Sequence, residues 1–96
     1  MESANKNDAG KLRFDLVPTT ATIGDAEVFT FGAKVYGERN WEKGIKYSRL
    51  YAATLRHLYA WWGGADIDPE SGIHHLAHAR VNLAMILDLP KQWDDR

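Results

Sequence analysis

The chain has 96 residues and no cysteine, which fits one domain and excludes disulfide staples and thiolate metal sites. Twelve basic side chains stand against 13 acidic ones, so no overall field favours a nucleic acid polymer or a membrane surface. No stretch resembles a signal peptide or reaches the length of a bilayer span, and a soluble cytoplasmic protein is expected.

Hydrophobic residues make up 45% of the chain and four are tryptophan, more apolar surface than three helices of this size hide alone. A homo-oligomer, most simply a two-fold dimer, is therefore expected. Residues 1–10 are small and polar and are expected to be disordered. Residues 11–18, KLRFDLVP, read as an extended arm that ends at Pro18, with Phe14, Leu16 and Val17 as anchors. Packing over its own domain and reaching to a partner subunit are both open to it.

The first helix is expected from Thr20 or Thr22 to Tyr36, where Gly37 stops it. Its apolar positions leave one polar stripe, Glu27, Thr30 and Lys34, at helical spacing. The stripe reads either as a solvent face or as a carboxylate and an ammonium directed into a cleft. Residues 37–47, GERNWEKGIKY, form a loop with two glycines and a dense mix of Arg39, Asn40, Trp41, Lys43 and Lys46. Aromatic rings beside cations and amides suit a nucleotide: a flat surface for the base, donors for its edge and charge for its phosphates. A surface loop pinned by a buried Trp41 is the plainer account.

Ser48 is expected to cap a second helix that ends at Trp62 before Gly63 and Gly64. Arg49 and Arg56 share a face with Ala53 and Ala60, which leaves room for an anion to approach; salt bridges to Glu42 or Glu70 are the alternative. In the loop ADIDPESG the alternation of Asp66, Asp68 and Glu70 suggests calcium. That pattern fails, because the glycine comes one place late and Ala77 stands where a bidentate Glu is needed. The loop carboxylates then read as helix-capping groups at Asp68 or Ser71, or as ligands of a hard metal.

The third helix is expected over about residues 73–89, apolar around most of its circumference, and so buried on several sides. His75, His78 and Asn82 break that surface as one stripe and must find partners; His74 falls off the stripe. Satisfied core residues and a functional site are both consistent with it. No P-loop, dinucleotide glycine motif, HExxH or GxSxG occurs, and neither Ser48 nor Ser71 has an evident base. What remains is a helical site rich in His and carboxylate with local Arg, Lys and Trp, suited to a phosphorylated nucleotide.

The runs FGAKVYGERNWEKGIKYSRL and RHLYAWWGGADIDPESGIHHLAHARVN resemble the phage and prophage family labelled dATP/dGTP diphosphohydrolase, N-terminal-like, over roughly residues 11–87. The resemblance implies an all-helical fold akin to the MazG-like pyrophosphohydrolases, a purine nucleotide ligand, and residence in the cytoplasm of an infected or lysogenic bacterial host. Enzymes of that kind hold magnesium with EExxE and ExxD motifs. Here the second helix contains no acid and the third only Asp88, so imidazoles and loop carboxylates would have to serve, and those suit manganese better than magnesium.

The expected architecture is an all-α, antiparallel bundle of about three helices with an N-terminal arm. It divides into a leader (1–10), one nucleotide-binding domain (11–90) and a tail (91–96). The expected reaction is metal-dependent hydrolysis of a dATP- or dGTP-like nucleotide to monophosphate and pyrophosphate. His57, His78 and Glu27 are the catalytic candidates, and Asp66, Asp68, His57 and His78 the ligands for a divalent magnesium or manganese ion. Lys34, Tyr36, Arg39, Asn40, Trp41, Lys43, Arg49, Arg56, Trp61, His75 and Asn82 are the nucleotide-binding candidates. Two rival readings are a non-catalytic sponge that sequesters a nucleotide immune signal, such as a cyclic dinucleotide or an ADP-ribose derivative, and the recognition part of a larger nucleotide enzyme.

Overall fold

The computed structural model describes residues 2–96; Met1, the first residue of the expected leader, lies outside them. Three helices, α1 (Thr19–Tyr36), α2 (Tyr47–Trp62) and α3 (His75–Asp88), are accompanied by short 3-10 turns at Phe14–Leu16, Asn40–Lys43 and Lys91–Trp93. The described residues form no strand, only an isolated antiparallel bridge between Ile67 and His74. The fold class is all-α, as expected, and no helix is long and apolar enough to cross a membrane.

Helix α3 packs against both α1 and α2, as a rod with apolar residues on most of its faces must. One buried cluster joins Val28 of α1 to Ile73 and Val81, with Phe29, Phe31, Ala77 and Met85 around it. A second joins Tyr47 and Leu50 of α2 to Leu89, with Trp41, Ile45, Met85, Ile86 and Trp93 around it. Met85 touches both, a place for a flexible, unbranched side chain. The α1–α3 contact is close: a Cβ on Gly24 would stand 3.1 Å from that of Ala77, and Arg80 Nε donates to Asp25 Oδ1 at 2.8 Å beside it.

The helix ends differ from expectation in instructive ways. Helix α1 begins at Thr19 without a hydroxyl cap; Pro18 precedes it, and its carbonyl accepts from Ala21 N at 3.0 Å. Helix α2 begins at Tyr47, one residue before the expected cap, and Ser48 lies inside its first turn. The cap comes from the tail: Asp95 Oδ1 accepts from Ser48 N at 2.9 Å and Oδ2 from the Ser48 hydroxyl. Those bonds hold the Asp95 carboxyl below the usual carboxylate range. Helix α3 begins at His75, with neither Asp68 nor Ser71 at its end; His74 Nδ1 accepts from Leu76 N at 3.0 Å. At its other end Tyr47 Oη donates to the Leu89 carbonyl at 2.7 Å, one of the backbone groups a helix terminus leaves over. The segment before Pro18 is not extended throughout, since Phe14–Leu16 forms a 3-10 turn.

Trp93 lies directly against the Cα of Gly44, where any Cβ would overlap the indole ring, and Gly44 has φ of +118°. The tail is thereby fastened to the loop after α1 by a contact only glycine allows. Gly44→Ala should destabilise the protein by about 2–4 kcal/mol, combining overpacking with a disfavoured backbone angle. Urea unfolding followed by helical circular dichroism checks this; a change under 1 kcal/mol would mean Trp93 is not anchored there.

Candidate functional site

The loop from Gly37 to Gly44 turns back toward α2 and α3 through three left-handed residues, Gly37, Arg39 and Gly44, with φ of +97°, +57° and +118°. For the two glycines this conformation is free of side-chain conflict, whereas for Arg39 it is strained. The turn that follows seats Trp41 near Phe29 of α1, ring centroids 5.9 Å apart. Between this loop and all three helices lies an open groove of about 1470 Å³.

Many of the residues expected to bind a nucleotide meet in this groove. Tyr36, Arg39, Asn40 and Trp41 line it from the loop side, Arg49 and Arg56 from α2, and His75 and Asn82 from α3. His57, His78 and Asp68 line it as well, and so does Glu70, which was weighed as a salt-bridge partner for Arg49 or Arg56 and pairs with neither among the described residues. Lys34, Lys43 and Trp61 do not line it, nor do Glu27 and Asp66. Glu27, Thr30 and Lys34 are all exposed on α1, and of that stripe only Thr30 reaches the groove wall. Trp61 lies beside Trp62, ring centroids 5.9 Å apart. Asp66 is exposed and faces His74, with Oδ1 4.0 Å from Nε2.

The floor is a cluster of three imidazoles. His57 of α2 stacks on His78 of α3, centroids 4.6 Å apart and planes 7° from parallel, while its Nδ1 lies 2.9 Å from Nδ1 of His75. A contact of that length between two ring nitrogens holds one proton, with one ring donating and the other accepting. Phe31 of α1 meets His78 edge-on at 6.3 Å.

Ser71, read from the sequence as a helix cap with no evident base, instead stands against an imidazole. Its Oγ stands 2.6 Å from His78 Nε2, donates to Asp68 Oδ2 at 2.9 Å and accepts from Ile73 N at 3.1 Å. Since its only proton goes to Asp68, Ser71 accepts from His78, which is then protonated at Nε2 and keeps Nδ1 as its basic atom. This is not a nucleophilic triad, because Asp68 approaches the same Nε2, at 3.5 Å, rather than the far side of the ring. The His at a seven-residue interval from Ser71, two turns along a helix, was the available signal. It was obscured because Ser71 belongs to the loop and not to α3.

Burial, above all, pushes His57 and His78 below the usual imidazole value, and neighbouring imidazoles add to this; Asp68 pulls the other way on both. For Asp68 itself burial acts to raise the carboxyl. The Ser71 hydroxyl, the Glu70 N–H and the two imidazoles together outweigh it and leave the group lowered, hence ionised at neutral pH.

The donors His57, His78 and Asp68 are largely spent on one another and on Ser71. Among the described residues no group of three or more His, Asp or Glu is arranged to hold a metal ion. The floor as it stands does not fit a resident divalent cation. Cationic charge comes from Arg39, which pairs with Glu42 at 2.8 Å, and from Arg49 and Arg56, both exposed and in no ion pair among the described residues.

A family model described as dATP/dGTP diphosphohydrolase, N-terminal, matches residues 1–96. A relative from Salmonella phage PMBT28, called dATP/dGTP diphosphohydrolase, is 38% identical over 81 residues, which cover 84% of this chain and 28% of that protein. The chain thus spans under a third of that relative's length. No solved structure matches.

Two outcomes are expected of this site. His57 and His78 bind protons less readily folded than unfolded, so stability is full above about pH 6.5 and declines as pH falls below it, while the unfolded chain protonates first. The melting temperature should be flat from pH 8 to 7 and fall from 6.5 to 5, with a shallower fall in His78→Gln; an equally steep fall in that variant would refute the assignment. Arg39→Gly should relieve about 1 kcal/mol of left-handed strain and raise the urea midpoint; an unchanged or lower midpoint would mean that the angle carries no strain.

Proposed function

This chain belongs to the dATP/dGTP diphosphohydrolase, N-terminal family, and from that premise we propose that it binds a purine nucleoside triphosphate in the groove and hydrolyses it to monophosphate and pyrophosphate. The single observation that carries the reading is the convergence on one groove of a ring for the base, cations for phosphate and imidazoles able to move a proton. Trp41 or Tyr36 offers a flat face to the base, and Asn40 a donor and an acceptor for its edge. Arg49 and Arg56, on one face of α2 over Ala53, neutralise the phosphates, and Arg39 approaches from the opposite wall.

In the proposed step a water oxygen bonds to the α-phosphorus while the bond from that phosphorus to the bridging oxygen breaks. Pyrophosphate leaves with the electron pair. The water's proton passes to an imidazole of the floor, His57 or the Nδ1 of His78, which burial keeps neutral and therefore able to accept it. The Ser71 hydroxyl, oriented by the bond it donates to Asp68, accepts from the other nitrogen of His78 and fixes its tautomer. Magnesium or manganese enters this reading as the counter-ion of the polyphosphate. Self-association into a homo-oligomer belongs to the same reading, supported by the exposed apolar side chains on all three helices.

The 28% coverage of the phage relative favours a second reading, in which this chain recognises the nucleotide and bond cleavage belongs to the remainder of such a protein. Purified protein incubated with dATP or dGTP and manganese separates the two. The first reading expects pyrophosphate release that drops at least 100-fold in His78→Gln, whereas binding without release, lost in Arg49→Ala/Arg56→Ala, supports the second. Absence of both binding and release refutes the groove as a nucleotide site.

A further inference from the structure

We infer that the segment from Leu12 to Val17 of one copy docks into an apolar groove between the N-terminal end of α2 and the C-terminal end of α3 of a second copy, the two arms being exchanged in a dimer. The inference rests on the homo-oligomer reading above and adds to it which surfaces meet.

The arm carries hydrophobic side chains with no cover. Leu12 is 80% exposed, Phe14 78% and Leu16 69%, although the backbone around them is a set turn. That turn is closed by Leu16 N donating to the Arg13 carbonyl at 3.1 Å and Val17 N to that of Phe14 at 3.2 Å, with Arg13 and Asp15 paired at 2.7 Å. A short segment that holds a shape while presenting three large apolar side chains to water is built to be covered.

The groove is the complementary surface. Its cavity, about 740 Å³, is walled by Tyr51 of α2 and by Ile86, Leu87 and Leu89 along α3 and its end, and no residue of the chain's own arm lines it. Leu87, at its edge, is 88% exposed. Lys91, Asp95 and Arg96 sit at its margin and Arg13 and Asp15 on the arm, so the polar rims on both sides carry charges of both signs.

The exposed area indicates a second copy as the occupant. A compact chain of 10.9 kDa exposes about 5,600 Å², whereas this one exposes 7772 Å². Its radius of gyration is 16.9 Å, where a compact domain of this length has about 13 Å. The excess, about 2,200 Å² per chain, is shared between the polar segment before Leu12 and exposed apolar side chains such as Leu12, Phe14, Leu16, Trp62 and Leu87. Permanent dimers cover apolar surface of this kind on both copies at once. Exchange between identical copies makes each chain both donor and acceptor, so the contact closes at two and leaves no open end.

The absence of native cysteine makes the test direct. F14C chains are mixed with L87C chains under copper-catalysed air oxidation, with F14C plus Y59C as the control. The expected result is a covalent dimer of F14C with L87C at least tenfold in excess of the control. In sedimentation, F14S/L16S should weaken self-association on the order of 100-fold with helix content unchanged, since those side chains are largely exposed within one copy and lie outside the three helices. A wild-type chain that stays monomeric at high micromolar concentration overturns both self-association and arm docking. Three other results overturn the docking alone: self-association unmoved by F14S/L16S, equal cross-linking to Y59C, or a disulfide confined within single F14C/L87C chains.

Discussion

The polar stripe of α3 is the constraint on which the rest of the structure turns. A helix with apolar residues on most of its faces is held between two neighbours, and the imidazoles it carries cannot be left dry and unpartnered. His75 is buried, and its Nδ1 meets His57 across the α2–α3 seam at 2.9 Å. His78 is satisfied by Ser71 from the preceding loop and by the face of His57. No buried side-chain nitrogen or oxygen among the described residues lacks a partner. The register of α2 against α3 and the path of the loop between them are therefore coupled to these few polar contacts as well as to the surrounding leucines and valines.

The same coupling shapes the chemistry. An imidazole cluster in which each ring leans on another resists taking up more than one proton, since two charged rings in contact would repel in partly dry surroundings. His57 and His78 are thus held below the usual imidazole value, chiefly by burial, and Asp68 places a negative charge beside them at the seam. What makes the cluster a tolerable core also makes it a reservoir of basic nitrogen at the bottom of an open groove. Across from it, Arg39 is kept in a left-handed conformation at the start of the Trp41 turn. Strain of that kind persists only where surrounding contacts over-determine it. Here they do, through Gly44 against Trp93 and Trp41 against Phe29.

The molecule is economical in its fastening and lavish in its exposure. The tail is tied at two points, Trp93 on Gly44 and Asp95 on the first turn of α2, and Trp93 packs against the second core cluster. The arm, read as a set of anchors, has none of its apolar side chains buried in one copy.

Helix number, the all-α class and the approximate spans of the helices were legible in the chain, because apolar periodicity and the glycines at 37 and 63 depend only on neighbouring residues. The gathering of His57, His75 and His78 was foreshadowed by the three-residue interval on α3. So was the place of Arg39, Asn40 and Trp41 beside a groove, by that loop's mix of rings and cations. The caps were not legible: Ser48, Asp68 and Ser71 have the right chemistry for helix ends, but Asp95 and His74 hold those positions. Nor could the chain alone show that Lys34, Glu27 and Asp66 stay outside the groove while Glu70 joins its wall. Helical spacing assigns residues to a face of their own rod; which face meets which neighbour follows from packing at long sequence separation, and only the assembled fold decides it.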